Sequence, residues 1–330
     1  MAFKYINPGY GYNANLITVE NFTYNPTNGV AFRASDYALE NYVSLSSEVP
    51  LPQAFCTSAY EPADIYGKFN FYLETPPEGT YPLDDFYIGA ICSGEMDSMN
   101  YCIGVVISDG KIYLGDGTGM YFGEGINISP CELYSIWFHW HIDNYNDNSY
   151  GELSVNGTET TTISRSWGAG YFSSEYKFFV IGHPCYWYGG GGFYLSEIII
   201  SNEFVSRDEK TLVLPVNTTT TDMTAGASGI YTATEAGQTL LQSVDIPALT
   251  RSYRAQTPIT GIGVAGIPAY YTNTLVTTIT ALSKTGTVTS EHGTCEIGSG
   301  STDAIFTGWG LSNATIADLQ DMQFGWKTGT

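Results

Sequence analysis

Residues 94–100 read GEMDSMN, and in an extended chain Glu95 and Asp97, two positions apart, lie on one side of the backbone. Carboxylates are the groups that cleave glycosidic bonds, which makes this the most enzyme-like string in the chain. The Gly and Ser of the same string suit a solvated hairpin loop between the apolar runs at 86–92 and 101–107, which is the plainer expectation. His139 and His141 have the same spacing, so on a strand both imidazoles share a face and could hold a metal if a third ligand joined them. The sequence places no third ligand, and an exposed polar sheet face is the plainer expectation. Asp84 with Asp85, or Asp109 with Asp116, could offer oxygens to calcium, which takes about six to eight of them. The run HPCYWYGGGGF at 183–193 sets Tyr186, Trp187 and Tyr188 side by side. Three successive rings cannot all point inward from an extended segment, so at least one is expected at the surface, where it stacks on a sugar ring or anchors a protein partner. These three aromatics are the candidate glycan- or partner-binding residues; no catalytic set and no resident metal or other cofactor is expected.

The elements that must position such groups are strands. In the run beginning at Leu133, Tyr134, Ile136, Phe138, Trp140 and Ile142 recur with period two, interleaved with Ser135, Trp137, His139 and His141. After the polar insert NYNDNSYG, Leu153 and Val155 alternate with Ser154 and Asn156, and Asn156-Gly157 supplies the positive φ that a type I′ turn needs. Further apolar alternations at 30–45, 66–73, 86–92, 101–107, 177–182 and 194–200, punctuated by Gly, Pro and Asp, predict an antiparallel β domain. The chain has 330 residues, 33 acids against 12 bases and a formal charge of −21, yet only 14% charged residues. Such a surface disfavours nucleic acid and anionic membranes. The 26 Tyr and 37 Gly favour strands and turns over helices.

The six cysteines, at 56, 92, 102, 131, 185 and 295, form no even-numbered framework within one half of the chain; Cys92 and Cys102 could face each other across a hairpin, and buried thiols are the plainer expectation. The amino terminus lacks an apolar signal core and no stretch of about 18 apolar residues occurs, so a soluble protein without an encoded export route is expected. Five Asn-x-Ser/Thr triplets, at Asn21, Asn127, Asn156, Asn217 and Asn313, fit turn chemistry in a chain rich in Asn and Thr. There is no G-x-S-x-G elbow, P-loop or H-E-x-x-H, and GIGVAG at 261–266 lacks the following helix that a dinucleotide site requires.

The strand from Leu133 followed by GELSVNG, the hairpin VVISDGKIYLGDG at 105–117, and the runs FFVIGHP and GGFYLSEIIIS together resemble the laminin G-like and concanavalin A-like jelly-roll family over residues 12–205. The resemblance implies a β-sandwich that recognises surfaces, with calcium held at a rim loop in many members. Some glucanases of that fold use a Glu-x-Asp-x-x-Glu strand whose first and last carboxylates are nucleophile and acid. Glu95 and Asp97 match it, but Asn100 stands where the acid belongs, and an amide cannot protonate a leaving group.

Charge gathers in SNEFVSRDEKTLVLP at 201–215, after which the chain turns Thr-rich. Expected organisation is a loop-like arm at 1–19, a sandwich at 20–205 and a smaller antiparallel sandwich at 206–330. In the latter, strands are expected in TLLQSVDIPALT, ITGIGVAGIPAYY, LVTTITALSK and GTCEIGSG. Thr315 to Asp318 has the form of a capping box opening one short helix, after which Phe324 and Trp326 return to extended alternation. The order of these segments, above all residues 309–327, is similar to a carboxy-terminal module of tailed-bacteriophage structural proteins. That resemblance implies a non-enzymatic virion protein of a tailed phage, assembled in the host cytoplasm and sitting on the capsid or tail exterior as a decoration, head-fibre or tail-appendage subunit. Its expected partners are other virion proteins, copies of itself and host-surface or mucosal glycans. The alternatives are a stand-alone lectin-like module and a divergent glycoside hydrolase.

Overall fold

The structure is a computed structural model that describes residues 4–7, 16–18, 30–34, 48–50, 63–73, 86–92, 102–116, 121–130, 132–143, 148–165, 178–184, 193–209, 216–227, 230–246, 254–266, 276–296 and 305–330. Two compact units emerge, one of residues 1–3 and 7–211 and one of residues 4–6 and 212–330. Both are built from antiparallel strands, so the fold class is all-β. Within the segment read as a loop-like arm, Lys4–Asn7 (β1) and Leu16–Thr18 (β2) are strands; β2 gains its order by pairing with Val30–Ala34 (β3).

In the first unit the larger sheet runs β12-β11-β10-β5-β14-β3-β2, where β5 is Ala63–Leu73, β10 Leu133–Ile142, β11 Ser149–Val155, β12 Thr158–Arg165 and β14 Phe193–Ser201. The second sheet runs β4-β13-β6-β7-β8-β9: Glu48–Pro50, Phe178–Pro184, Phe86–Cys92, Cys102–Ser108, Lys111–Asp116 and Tyr121–Asn127. Period-two alternation sends Tyr134, Ile136, Phe138 and Trp140 of β10 into the core with Ile65, Phe69 and Phe71 of β5 and Leu153 and Val155 of β11. The two sheets meet where the Trp140 ring and Leu114 of β8 close over Gly151. Gly67, opposite Phe138 in register, leaves the space that the Phe138 ring occupies; a Cβ there would collide with it.

The expected turns are present. Asn156 and Gly157 take φ of 50° and 76° between β11 and β12, and Asp109 and Gly110 take 48° and 69° between β7 and β8, both as a type I′ hairpin demands. The register of β6 with β7 sets Cys92 opposite Cys102. Residues 202–209 follow β14 without joining the sheet.

In the second unit a five-stranded sheet runs β15-β18-β23-β20-β21, that is Val216–Thr221, Thr239–Val244, Met322–Gly329, Thr278–Thr285 and Val288–Glu296. A two-stranded ribbon pairs Pro258–Gly266 (β19) with Ile305–Thr315 (β22), and a short ladder joins Thr224–Ala225 (β16) to Tyr231–Thr232 (β17). Ile262 and Trp309 of the ribbon are buried with Ile279, Ala281, Phe324 and Trp326 of the sheet, which makes a small sandwich. The short helix expected after Thr315 is a 3-10 turn, Ile316–Asp321. Its capping box forms: the Asp318 carboxylate accepts the Thr315 backbone N–H at 2.8 Å and its hydroxyl at 2.7 Å, and these bonds hold the Asp318 carboxyl below its usual range. With Ile316 and Leu319 both buried, the side-chain spacing is that of three residues per turn, which favours 3-10 winding over a longer α-helix.

Candidate functional site

The residues of β10 that do not enter the core define a face on the outside of the larger sheet. Its floor comes from three strands in register: His139 lies opposite Tyr66 of β5 and Glu152 of β11, and His141 lies opposite Asp64 and Tyr150. Because side chains alternate, these six groups share one side of the sheet.

His139 is buried at the centre. Its ring stacks on Tyr66 with centroids 4.1 Å apart and planes 7° from parallel, and meets Tyr150 edge-on at 5.4 Å. Its Nε2 lies 2.8 Å from Asp64 Oδ1 and its Nδ1 lies 3.1 Å from Glu152 Oε2. His141 Nδ1 reaches the same Asp64 oxygen at 3.0 Å, and its ring stacks on Tyr150 at 4.9 Å. A neutral imidazole donates from one nitrogen only, so the carboxylate–imidazole–carboxylate chain through His139 is fully bonded when the ring is an imidazolium or when one carboxyl carries a proton. Both carboxylates keep contact with water, their side chains being 42% and 38% exposed.

Partial burial pushes the Asp64 carboxyl up, but the hydrogen bonds and charge attraction of His139 and His141 outweigh it and hold Asp64 below the ordinary carboxylate range. Burial raises the phenols of Tyr66 and Tyr150, and the charge of Asp64 beside them adds to the rise. The face therefore presents an ionised Asp64 beside un-ionised phenols at neutral pH.

One end of the face is covered by residues 202–209. Trp137 Nε1 donates to the Val205 carbonyl at 2.7 Å, the Arg207 guanidinium sits 4.7 Å over the Trp137 ring, and Lys68 Nζ donates to the carbonyls of Arg207, at 2.6 Å, and of Glu209. Val205 is fully buried, whereas its neighbour Phe204 is 70% exposed and meets Tyr66 edge-on at 5.7 Å. The result is a patch of aromatic and imidazole rings stacked against one another across neighbouring strands, open to solvent at Asp64, Glu152 and Tyr150 and edged by the exposed ring of Phe204.

Of the candidates read from the sequence, the structure brings His139 and His141 onto one face, as their spacing requires. Both ring nitrogens of His139 and the Nδ1 of His141 are hydrogen-bonded to carboxylates, and among the described residues no group of three or more His, Cys, Asp or Glu side chains is arranged to hold a metal ion. Asp109 and Asp116 do not form a calcium pair: Asp109 is in the turn before β8 and Asp116 ends that strand, seven positions on and roughly 20 Å away at about 3.3 Å per residue. Tyr186, Trp187 and Tyr188, Glu95 with Asp97, and Asp84 with Asp85 all lie outside the described residues. Asp64, Tyr66, Tyr150, Glu152 and Phe204 were missed. Their available signal was the polar phase of the alternation, Asp64-x-Tyr66 and Tyr150-x-Glu152, on the strands that flank the His pair.

No family model matches the chain and no curated protein matches it by sequence. Among solved structures it is similar to domain 4 of an extracellular arabinanase from Geobacillus stearothermophilus, in complex with arabinotriose, at 14% identity and a TM-score of 0.38, covering 62% of this chain and 84% of that one. A family 7 alginate lyase in complex with substrate aligns at 15% identity and a TM-score of 0.37, over 62% and 95% of the two chains. A cellulose-induced protein aligns at 10% identity and a TM-score of 0.35, over 60% and 88%. Likeness this distant carries no weight for what the chain does; its β-sandwich architecture rests on its own sheets. Among the described residues no helix is long and apolar enough to cross a membrane.

Proposed function

We propose that the first unit is a carbohydrate-binding β-sandwich that works without turnover and holds its ligand on the outer face of the larger sheet. The observation that carries this reading is the Tyr66–His139 stack flanked by Asp64 and Glu152. A sugar has an apolar C–H face that packs on an aromatic ring and a rim of hydroxyls that donate to carboxylates and accept from N–H groups. Tyr150 and His141 offer the ring surface beside the stack, and the half-exposed acids offer the acceptors. A few convergent polar groups on an otherwise aromatic surface is the usual make-up of a small-ligand site.

The test is a glycan array followed by titration calorimetry of the full chain, with reducing-end release measured in parallel. The expected result is saturable binding that Tyr150→Ala weakens by about tenfold, roughly 1.4 kcal/mol, and no release of reducing ends. Binding that survives Tyr150→Ala and His141→Ala together removes this face as the site; steady release of reducing ends that Glu152→Gln abolishes turns the reading into a hydrolase.

A second reading concerns where the protein works. The similarity of residues 309–327 to a carboxy-terminal module of tailed-phage structural proteins supports a virion protein that displays the glycan-binding face on the capsid or tail exterior, in contact with other virion proteins and copies of itself. That stretch here spans part of β22, the capped 3-10 turn and most of β23, the central strand of its sheet. Peptide mass spectrometry of gradient-purified particles from a producing host tests it: peptides at a fixed ratio to the major capsid protein are expected, and their absence from infectious particles overturns it.

A further inference from the structure

Resting on the carbohydrate-binding reading above, we infer that the face selects uncharged oligosaccharides over uronates and that Phe204 is the wall against which the sugar packs. Three observations carry this.

The first is the sign of the charges that face the platform. Asp64 and Glu152 both contact His139 and remain in reach of water. Glu203 and Asp208, on the covering segment, are exposed acids. The cations of this face are placed differently. Lys68 is buried, with its ammonium donating to the carbonyls of Arg207 and Glu209. Arg207 lies over the Trp137 ring, on the far side of His139 from His141. A uronate carboxylate seated on Tyr150 and His141 would lie beside the Asp64 and Glu152 carboxylates and away from Lys68 and Arg207, and the chain as a whole carries a formal charge of −21. Like charges at a surface repel, and salt screens that repulsion, so an acidic sugar is disfavoured against its neutral counterpart most at low salt.

The second is the protonation state of the rings. Tyr66 and Tyr150, their phenols raised, stay neutral over the whole working pH range and so offer stacking surface and a hydroxyl rather than further charge.

The third is Phe204. A phenyl ring 70% exposed is costly to leave in water, and this one does not stand alone: it stands edge-on to Tyr66, the ring that carries His139. Val205, the next residue, is fully buried, and the main chain there is fixed by the bond from Trp137, so Phe204 projects from an anchored segment. An exposed ring edge-on to Tyr66 and projecting from an anchored segment leaves its own face for the apolar C–H side of a pyranose.

The experiment titrates the full chain, by calorimetry at low salt and again at 0.5 M sodium chloride as a roughly one-decade change in screening. The probes are cellohexaose, xylohexaose, mannohexaose and N-acetylchitohexaose as neutral ligands, hexagalacturonate as the acidic one and a chitosan hexamer as the cationic one. The expected result is binding of at least one neutral hexamer, with hexagalacturonate at least tenfold weaker at low salt and closing part of that gap at high salt. Phe204→Ala is expected to weaken the neutral ligand about tenfold without moving the denaturation midpoint, and Glu152→Gln to narrow the gap between neutral and acidic hexamers. Hexagalacturonate binding as tightly as every neutral hexamer overturns the selectivity and leaves carbohydrate binding standing, whereas chitosan binding more tightly than hexagalacturonate at low salt agrees with it. Affinity unchanged in Phe204→Ala removes the wall. No binding by any of the six sugars takes down both this inference and the reading beneath it.

Discussion

His139 and His292 each lie flat on an aromatic ring, at 4.1 Å on Tyr66 in the first unit and at 3.8 Å on Trp309 in the second, and there the likeness stops. His139 has a carboxylate at each ring nitrogen on a face that water reaches. His292 has one hydroxyl, Ser283 Oγ at 2.6 Å from Nε2, and burial holds its pKa below the ordinary imidazole value. Stacking alone therefore says little about role. The partners at the nitrogens decide it: carboxyl groups at an open surface make a place where a polar ligand can exchange hydrogen bonds, while one hydroxyl beside Trp309 makes a half-buried packing position that disfavours the charged ring.

The sharpest way to break the comparison is at the ring beneath His292. Trp309 is buried among Ile262, Phe324 and Trp326, so Trp309→Ala is expected to cost about 3–5 kcal/mol by loss of burial and the cavity left behind. Denaturant unfolding should show the second unit's transition move by that amount while the sugar affinity of the first unit stays within error; a parallel loss of affinity would mean that the platform depends on the second unit.

A pH series separates the two histidine environments next. The unfolded chain protonates His292 near the ordinary imidazole value of 6.5 while the folded unit resists, so the unfolded state binds more protons and stability conferred by the neutral ring is complete above that pH and declines as pH falls through it. The Asp64 carboxyl is lowered from 3.8, so its contribution persists far further into acid and is lost only as pH falls below that value. Urea midpoints taken from pH 8 to pH 4 should fall for the second unit below about pH 6.5, and His292→Gln should flatten that decline. A midpoint independent of pH in that window contradicts the buried, neutral assignment. The smallest effect belongs to the ion pair of Lys327 Nζ with Glu291 Oε1 at 2.6 Å, whose acid is the chain neighbour of His292 and whose two side chains are about half exposed. Glu291→Gln is expected to change stability by no more than about 0.5 kcal/mol, and that little should vanish in high salt.

What could be read in advance follows the physics of distance along the chain. Period two in residues 134–142, Asn156-Gly157, and the Thr315–Asp318 box are local signals, and each produced the local structure it encodes. The platform is not local. His139 meets Tyr66 only because β10 pairs with β5 in one register, and nothing near residue 66 or residue 139 states that register. The pairing of two histidines on a face was legible; the acids that complete it, 75 residues away in the case of Asp64, were not. Residues 201–209 were legible only as a concentration of charge; that Val205 is buried and its carbonyl takes the Trp137 N–H, so that one apolar residue anchors a polar strap, depends on a contact 68 residues away.

The most direct test of the contrast between the two rings is a long-range nitrogen–proton spectrum of the imidazoles, recorded while a neutral hexasaccharide that binds the chain is added. The account predicts that the His139 and His141 resonances shift with the saturation curve of the sugar while His292 stays fixed. Movement of His292 with no change at His139 and His141 would contradict it, because the sugar would then be bound where the structure shows packing and not where it shows a site.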